Sequence, residues 1–88
     1  MKRAYLVELR KKNNLTQKYV AMKLSIKQNT FSMIENGQRR TKLTLELING
    51  FSEVFNVPIT QIIELESKYQ EELKTSRKGI NTYNEKVV

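Results

Sequence analysis

From Leu15 to Gly37 the chain reads L-T-Q-K-Y-V-A-M-K-L-S-I-K-Q-N-T-F-S-M-I-E-N-G, and this stretch leaves little freedom of local structure. Thr16 stands where its hydroxyl can accept a free amide from the first turn of a helix beginning at Gln17. Leu15 before that cap and Val20 after it are in hydrophobic-staple register, and Ile26 and Phe31 repeat the arrangement around Lys27. Staples eleven residues apart mark two helix starts, over roughly Gln17 to Leu24 and Gln28 to Asn36. Val20, Leu24, Ile26, Phe31 and Ile34 are spaced so that each helix offers one apolar face to the other. Ala21 falls where the two would cross closely, and Gly37 suits a left-handed C-terminal position.

The rest of the chain extends this pair into an all-α fold of five helices. A first helix over Lys2 to Lys12 would turn Tyr5, Leu6 and Leu9 inward and end at Asn13-Asn14, since Asn tolerates left-handed geometry. Thr44 is placed to cap a fourth helix, whose Leu47, Ile48, Phe51, Val54 and Phe55 recur with helical period. Gly50 inside it costs up to ~1 kcal/mol relative to Ala, which points to close packing against a neighbouring backbone. Asn56 ends that helix. Pro58 then sets the turn into a fifth, where Ile59, Ile62 and Ile63 complete the core. Leu65, Tyr69 and Leu73 recur at i+4 and extend the fifth helix through about Ser76, with a break expected at Lys78-Gly79 and a frayed tail beyond. The expected organisation is a helical domain over residues 1–64 and a C-terminal extension over residues 65–88.

Charge is divided along the chain rather than spread. Residues 1–42 hold eleven Lys or Arg against Glu8 and Glu35 for a net +9, whereas residues 43–73 carry a net −5. One surface should therefore attract polyanions and another should not. Histidine, cysteine and aspartate are absent and there is no Gly-rich phosphate loop, so acid–base, nucleophilic and metal chemistry lack their usual parts. No enzyme activity, cofactor or metal is expected. No apolar run approaches the ~20 residues that span a bilayer, and the start lacks a long apolar leader, which makes a cytoplasmic protein with no membrane partner the expectation.

The L-T-Q opening at Leu15, the alanine at Ala21, the apolar turn residue Ile26 and the E-N-G ending at Gly37 resemble the lambda-repressor-like, or XRE-type, helix-turn-helix family, from about Leu9 to Ile63. The resemblance implies a compact five-helix DNA-binding domain and a transcriptional regulator, most often a repressor, of prokaryotic or phage type. Three departures accompany it. Ser25 replaces the family's usual glycine at a turn position needing positive φ, at a cost of ~1 kcal/mol. Lys27 stands where Ser or Thr would cap the second helix of the motif, a loss of about 1 kcal/mol. The stretch G-Q-R-R-T-K-L-T before the next helix is about two residues longer than usual.

In such a motif the start of the second helix enters the major groove. Gln28 and Asn29 can each pair with adenine through its amino group and ring nitrogen, and Thr30, Ser32 and Met33 are the next outward candidates. Gln17, by analogy with relatives, would bind a phosphate oxygen at the first turn of its helix. Lys27, Arg39, Arg40 and Lys42 flank the reading helix as phosphate neutralisers. In similar repressors the pair matching Arg10 and Glu35 forms a structural ion pair. Val57, Ile59, Leu65, Tyr69 and Leu73 are apolar beyond what the core requires and would build a homodimer interface. The alternative is a protein-interaction adaptor or an antitoxin whose helices mainly bind a partner protein. The outward Gln28-Asn29 pair argues against it, since an adaptor would present apolar residues there. RNA is disfavoured because the narrow major groove of A-form RNA excludes a helix and no aromatic stacking platform is visible.

Overall fold

The computed structural model describes the backbone of residues 1–38 and 42–87, and the side chains of residues 1–38 and 42–75. Five helices follow one another: α1 Ala4–Lys12, α2 Gln17–Lys23, α3 Gln28–Asn36, α4 Leu45–Phe55 and α5 Ile59–Val87. No strand occurs among the described residues. α2 packs on α3 and on α4, α1 packs on α3, and α4 packs on α5.

The local signals act as their chemistry requires. The Thr16 and Thr44 hydroxyls accept from the Tyr19 and Leu47 amides at 3.0 and 3.1 Å, each satisfying one orphan donor of its helix. Gly37 closes α3 at φ 67°, and Asn56 closes α4 at φ 55°. Ser25 is held at φ 58°, and Lys27 stands before α3 with no side-chain cap bond. The turn is therefore strained at the one position where this chain has a side chain and glycine would have none. Ser25→Gly is expected to raise stability by up to ~1 kcal/mol, read as a Tm roughly 4–8 °C higher in a domain of this size. A lower Tm would show that Ser25 makes a compensating interaction.

The core is Leu6, Leu9, Val20, Ala21, Phe31, Ile34, Phe51, Phe55 and Ile62, drawn from all five helices. Three phenylalanines run through it: Phe51 meets Phe31 edge-on with centroids 6.1 Å apart and stacks on Phe55 at 5.9 Å. Phe31 lies on the buried face of α3, so this stack sets how α3 sits on the scaffold.

Four expectations are corrected. α1 begins at Ala4 rather than Lys2, because Arg3 is committed elsewhere: its amide donates to the Glu35 carbonyl at 2.8 Å. Gly50 makes room for the Leu24 side chain, not for a backbone; a Cβ there would collide with Leu24 Cδ2. Ile63 is 43% exposed and leaves the core to Ile62, which is fully buried. α5 does not break at Lys78-Gly79 but runs on to Val87. One glycine costs a helix only about 1 kcal/mol relative to alanine, which by itself is too little to end it.

Candidate nucleic-acid interface

α3 divides sharply between its two faces. Phe31, Ile34 and Glu35 are buried, whereas Gln28, Asn29 and Thr30 are exposed together at the start of the helix. Ser32 and Met33 are half-buried, and the Ser32 hydroxyl accepts from Asn36 Nδ2 at 3.4 Å. Three polar side chains with carboxamide and hydroxyl groups thus project from the helix end that a major groove would receive. Lys27, immediately before them, and Lys42, in the connection to α4, are both exposed. Arg39 and Arg40 lie outside the described residues.

Gln17 has a partner within the protein. Its Nε2 donates to Glu35 Oε1 at 2.6 Å, inside a cluster in which Arg10 reaches the same carboxylate from Nε at 2.8 Å and Nη2 at 3.3 Å. The Arg10–Glu35 ion pair is therefore present and ties α1 to the end of α3, with Gln17 as a third member. Without DNA, the Gln17 side chain is engaged in the protein, and a phosphate would have to share it with Glu35.

The residues assigned to a homodimer face also separate. Val57 and Leu65 pack against the core, and Tyr69 is buried within the protomer at 5% exposure. Ile59 and Leu73 are half-buried. Tyr69 is covered by Arg3 of the same chain, whose guanidinium carbon lies 4.6 Å from the centre of its ring. Exposed Ile63 and half-buried Leu73 mark the surface that α5 keeps, beside Glu64, Ser67, Lys68, Glu71 and Glu72.

Sequence reading missed Arg3 and Glu66. Arg3 is fully buried, and its Nε and Nη2 meet the two Glu66 oxygens at 2.9 and 3.0 Å. The Tyr5 hydroxyl and Gln70 Nε2 also donate to Glu66. Such a pair carries no local signal, since its members stand 63 residues apart. Two of the eleven cations in the basic first half, Arg3 and Arg10, are thus neutralised inside the protein, and the polyanion-facing charge is smaller than the sequence total.

The cluster also fixes a pH window. Burial alone would raise the Glu66 carboxyl, but hydrogen bonds from Arg3, Tyr5 and Gln70 outweigh it and hold the group below the ordinary carboxylate value. Burial, reinforced by the bond to Glu66, pushes the Tyr5 phenol well above its ordinary value. A depressed carboxylate contributes stability above its unfolded pKa, ~4.3, which is lost as pH falls through the folded value. A raised phenol contributes below its unfolded pKa, ~10, and that is lost at higher pH. Denaturant midpoints should therefore be flat from about pH 5 to 9 and fall on both sides. DNA affinity should be flat between about pH 6 and 8, where no histidine titrates. A midpoint still rising as pH falls below about 4 would contradict the assigned role of Glu66.

With this geometry in place, the class is a helix-turn-helix protein: α2 and α3 form the motif and α3 shows its polar start to solvent. A family model described as helix-turn-helix matches residues 6–62, and the chain belongs to that family, the XRE-type, lambda-repressor-like group of DNA-binding transcriptional regulators. The family is not typically enzymatic. No curated protein and no solved structure matches the chain. Among the described residues, no helix is long and apolar enough to cross a membrane.

Proposed function

We propose that the chain is a sequence-specific repressor of prokaryotic or phage type that lays α3 in the major groove of double-stranded DNA. Gln28 and Asn29 read base edges, with Thr30, Ser32 and Met33 adjoining, while Lys27, Arg39, Arg40 and Lys42 hold the phosphates on either side. The observation that carries this reading is the exposure of Gln28, Asn29 and Thr30 at one helix end while Phe31, Ile34 and Glu35 of the same helix are buried. An adaptor surface would need apolar side chains at that end.

One reading helix contacts only a few base pairs, too few to find a site in a genome, so the protein acts as a homodimer. The contact is assigned to α5, on Ile59, Ile63 and Leu73, continued by the arm of residues 65–88, which carries the last of them. Selection of bound sites from random duplexes by the purified protein tests both parts. Enrichment of paired half-sites roughly 34 Å apart, with adenine at the positions facing Gln28 and Asn29, is expected. Enrichment of a single short site would overturn the dimer, and no enrichment would overturn the reading.

A further inference from the structure

The end of α3 is held from outside the helix. α3 has no basic residue in its last turn, where the helix dipole favours a cation; the Ile34 carbonyl there already accepts the Gly37 amide at 3.1 Å. Arg3 supplies that cation from the opposite side. Its Nη1 donates to the Ile34 carbonyl at 2.7 Å, and its backbone amide donates to the Glu35 carbonyl at 2.8 Å. The rest of the guanidinium faces α5, paired with both Glu66 oxygens and lying over the Tyr69 ring. The Tyr69 hydroxyl donates to the Met1 carbonyl, and both groups press on Gly37, where a Cβ would collide with them. One planar, fully buried guanidinium thus bridges the last turn of α3 and the α5 helix.

Arg3, Glu66 and Tyr69 all lie outside residues 6–62, the part matched by the family model. None of the three is on the exposed start of α3.

We infer that Arg3 is a positioning residue for DNA reading, coupling the placement of α3 to that of α5, so that whatever moves α5 is felt at the reading helix. The inference deepens the proposed function and rests on α3 being the helix that reads DNA. The planar fork is essential to the coupling. A lysine at position 3 would keep the charge but could not hold Glu66 in bidentate fashion and the Ile34 carbonyl at the same time.

The test uses the full chain and two variants, Arg3→Lys and the paired Arg3→Met, Glu66→Leu, in which apolar side chains replace the buried ion pair and preserve packing. Amide hydrogen exchange without DNA should show protection at residues 34–38 falling roughly tenfold in both variants, since the last turn of α3 loses the charge-assisted hydrogen bond to Ile34 and its tie to α5. Affinity for the selected site should fall by a similar factor, while affinity for an unrelated duplex and its salt dependence stay unchanged. A merely structural role would instead lower protection throughout the core and weaken binding to both duplexes equally. Unchanged protection at residues 34–38 in both variants overturns the coupling, whatever DNA binding shows. Loosened residues 34–38 in a protein whose wild type selects no site would leave the coupling standing and overturn the DNA reading.

Discussion

Phe51→Ala should destabilise the domain by about 3–5 kcal/mol. The ring is fully buried and links Phe31 of α3 to Phe55 of α4. Its loss removes both aromatic contacts and leaves a cavity that three surrounding helices cannot all collapse into. A domain of this size has a stability of roughly 4–13 kcal/mol, so the variant would be close to unfolded at the lower end of that range. Thermal unfolding should show a Tm at least ~12 °C lower. Leu45→Ala is the contrast: Leu45 is 68% exposed, and its replacement should change stability by no more than ~0.5 kcal/mol. A Phe51→Ala loss below about 1 kcal/mol would show that the phenylalanine stack does not set the seat of α3.

Affinity for double-stranded DNA should fall steeply with salt. A dimer neutralising roughly four to eight phosphates gives a log–log slope of about −4 to −8, or a loss of roughly 10²–10⁵-fold between about 50 and 200 mM salt. The structure shapes this expectation through charge that is not available to DNA. Arg3 is closed off by Glu66, and Arg10 by Glu35, so neither contributes to the slope in the way that exposed Lys27 and Lys42 do. Titrations of one duplex across salt concentrations check it. A slope near zero would contradict an electrostatic footprint altogether.

Local chemistry made much of the fold readable from sequence. Thr16, Thr44, Gly37 and Asn56 announce helix ends through groups within a few residues of themselves, and each adopts the geometry that its chemistry favours. Ser25 shows the same in reverse, since the motif requires positive φ there and imposes it on a residue poorly suited to it. The exposed start of α3 was legible too, because the staples fix which side of the helix faces inward. Legibility fails where a contact joins distant parts of the chain. Leu65, Tyr69 and Leu73 share one i+4 series, but periodicity cannot say what covers that face. Tyr69 is covered by Arg3 of its own chain, so an apolar stripe that looked free for a second subunit is partly occupied. Gln17 carries a contact of the same kind: its amide group donates to the Glu35 carboxylate, eighteen residues away, which its position in the motif does not announce.

The division of labour on and beside α3 is the centre of this account, and one comparison tests it most directly. Equilibrium affinities of Gln28→Ala and Lys42→Ala would be measured on the selected operator and on an unrelated duplex at one salt concentration. Gln28→Ala should lose ~1–3 kcal/mol per half-site on the operator and almost nothing on the unrelated duplex. Lys42→Ala should weaken both by a similar factor and make the salt slope shallower by about 2, one phosphate contact from each protomer. Equal losses on both duplexes for both substitutions would contradict base reading by the start of α3.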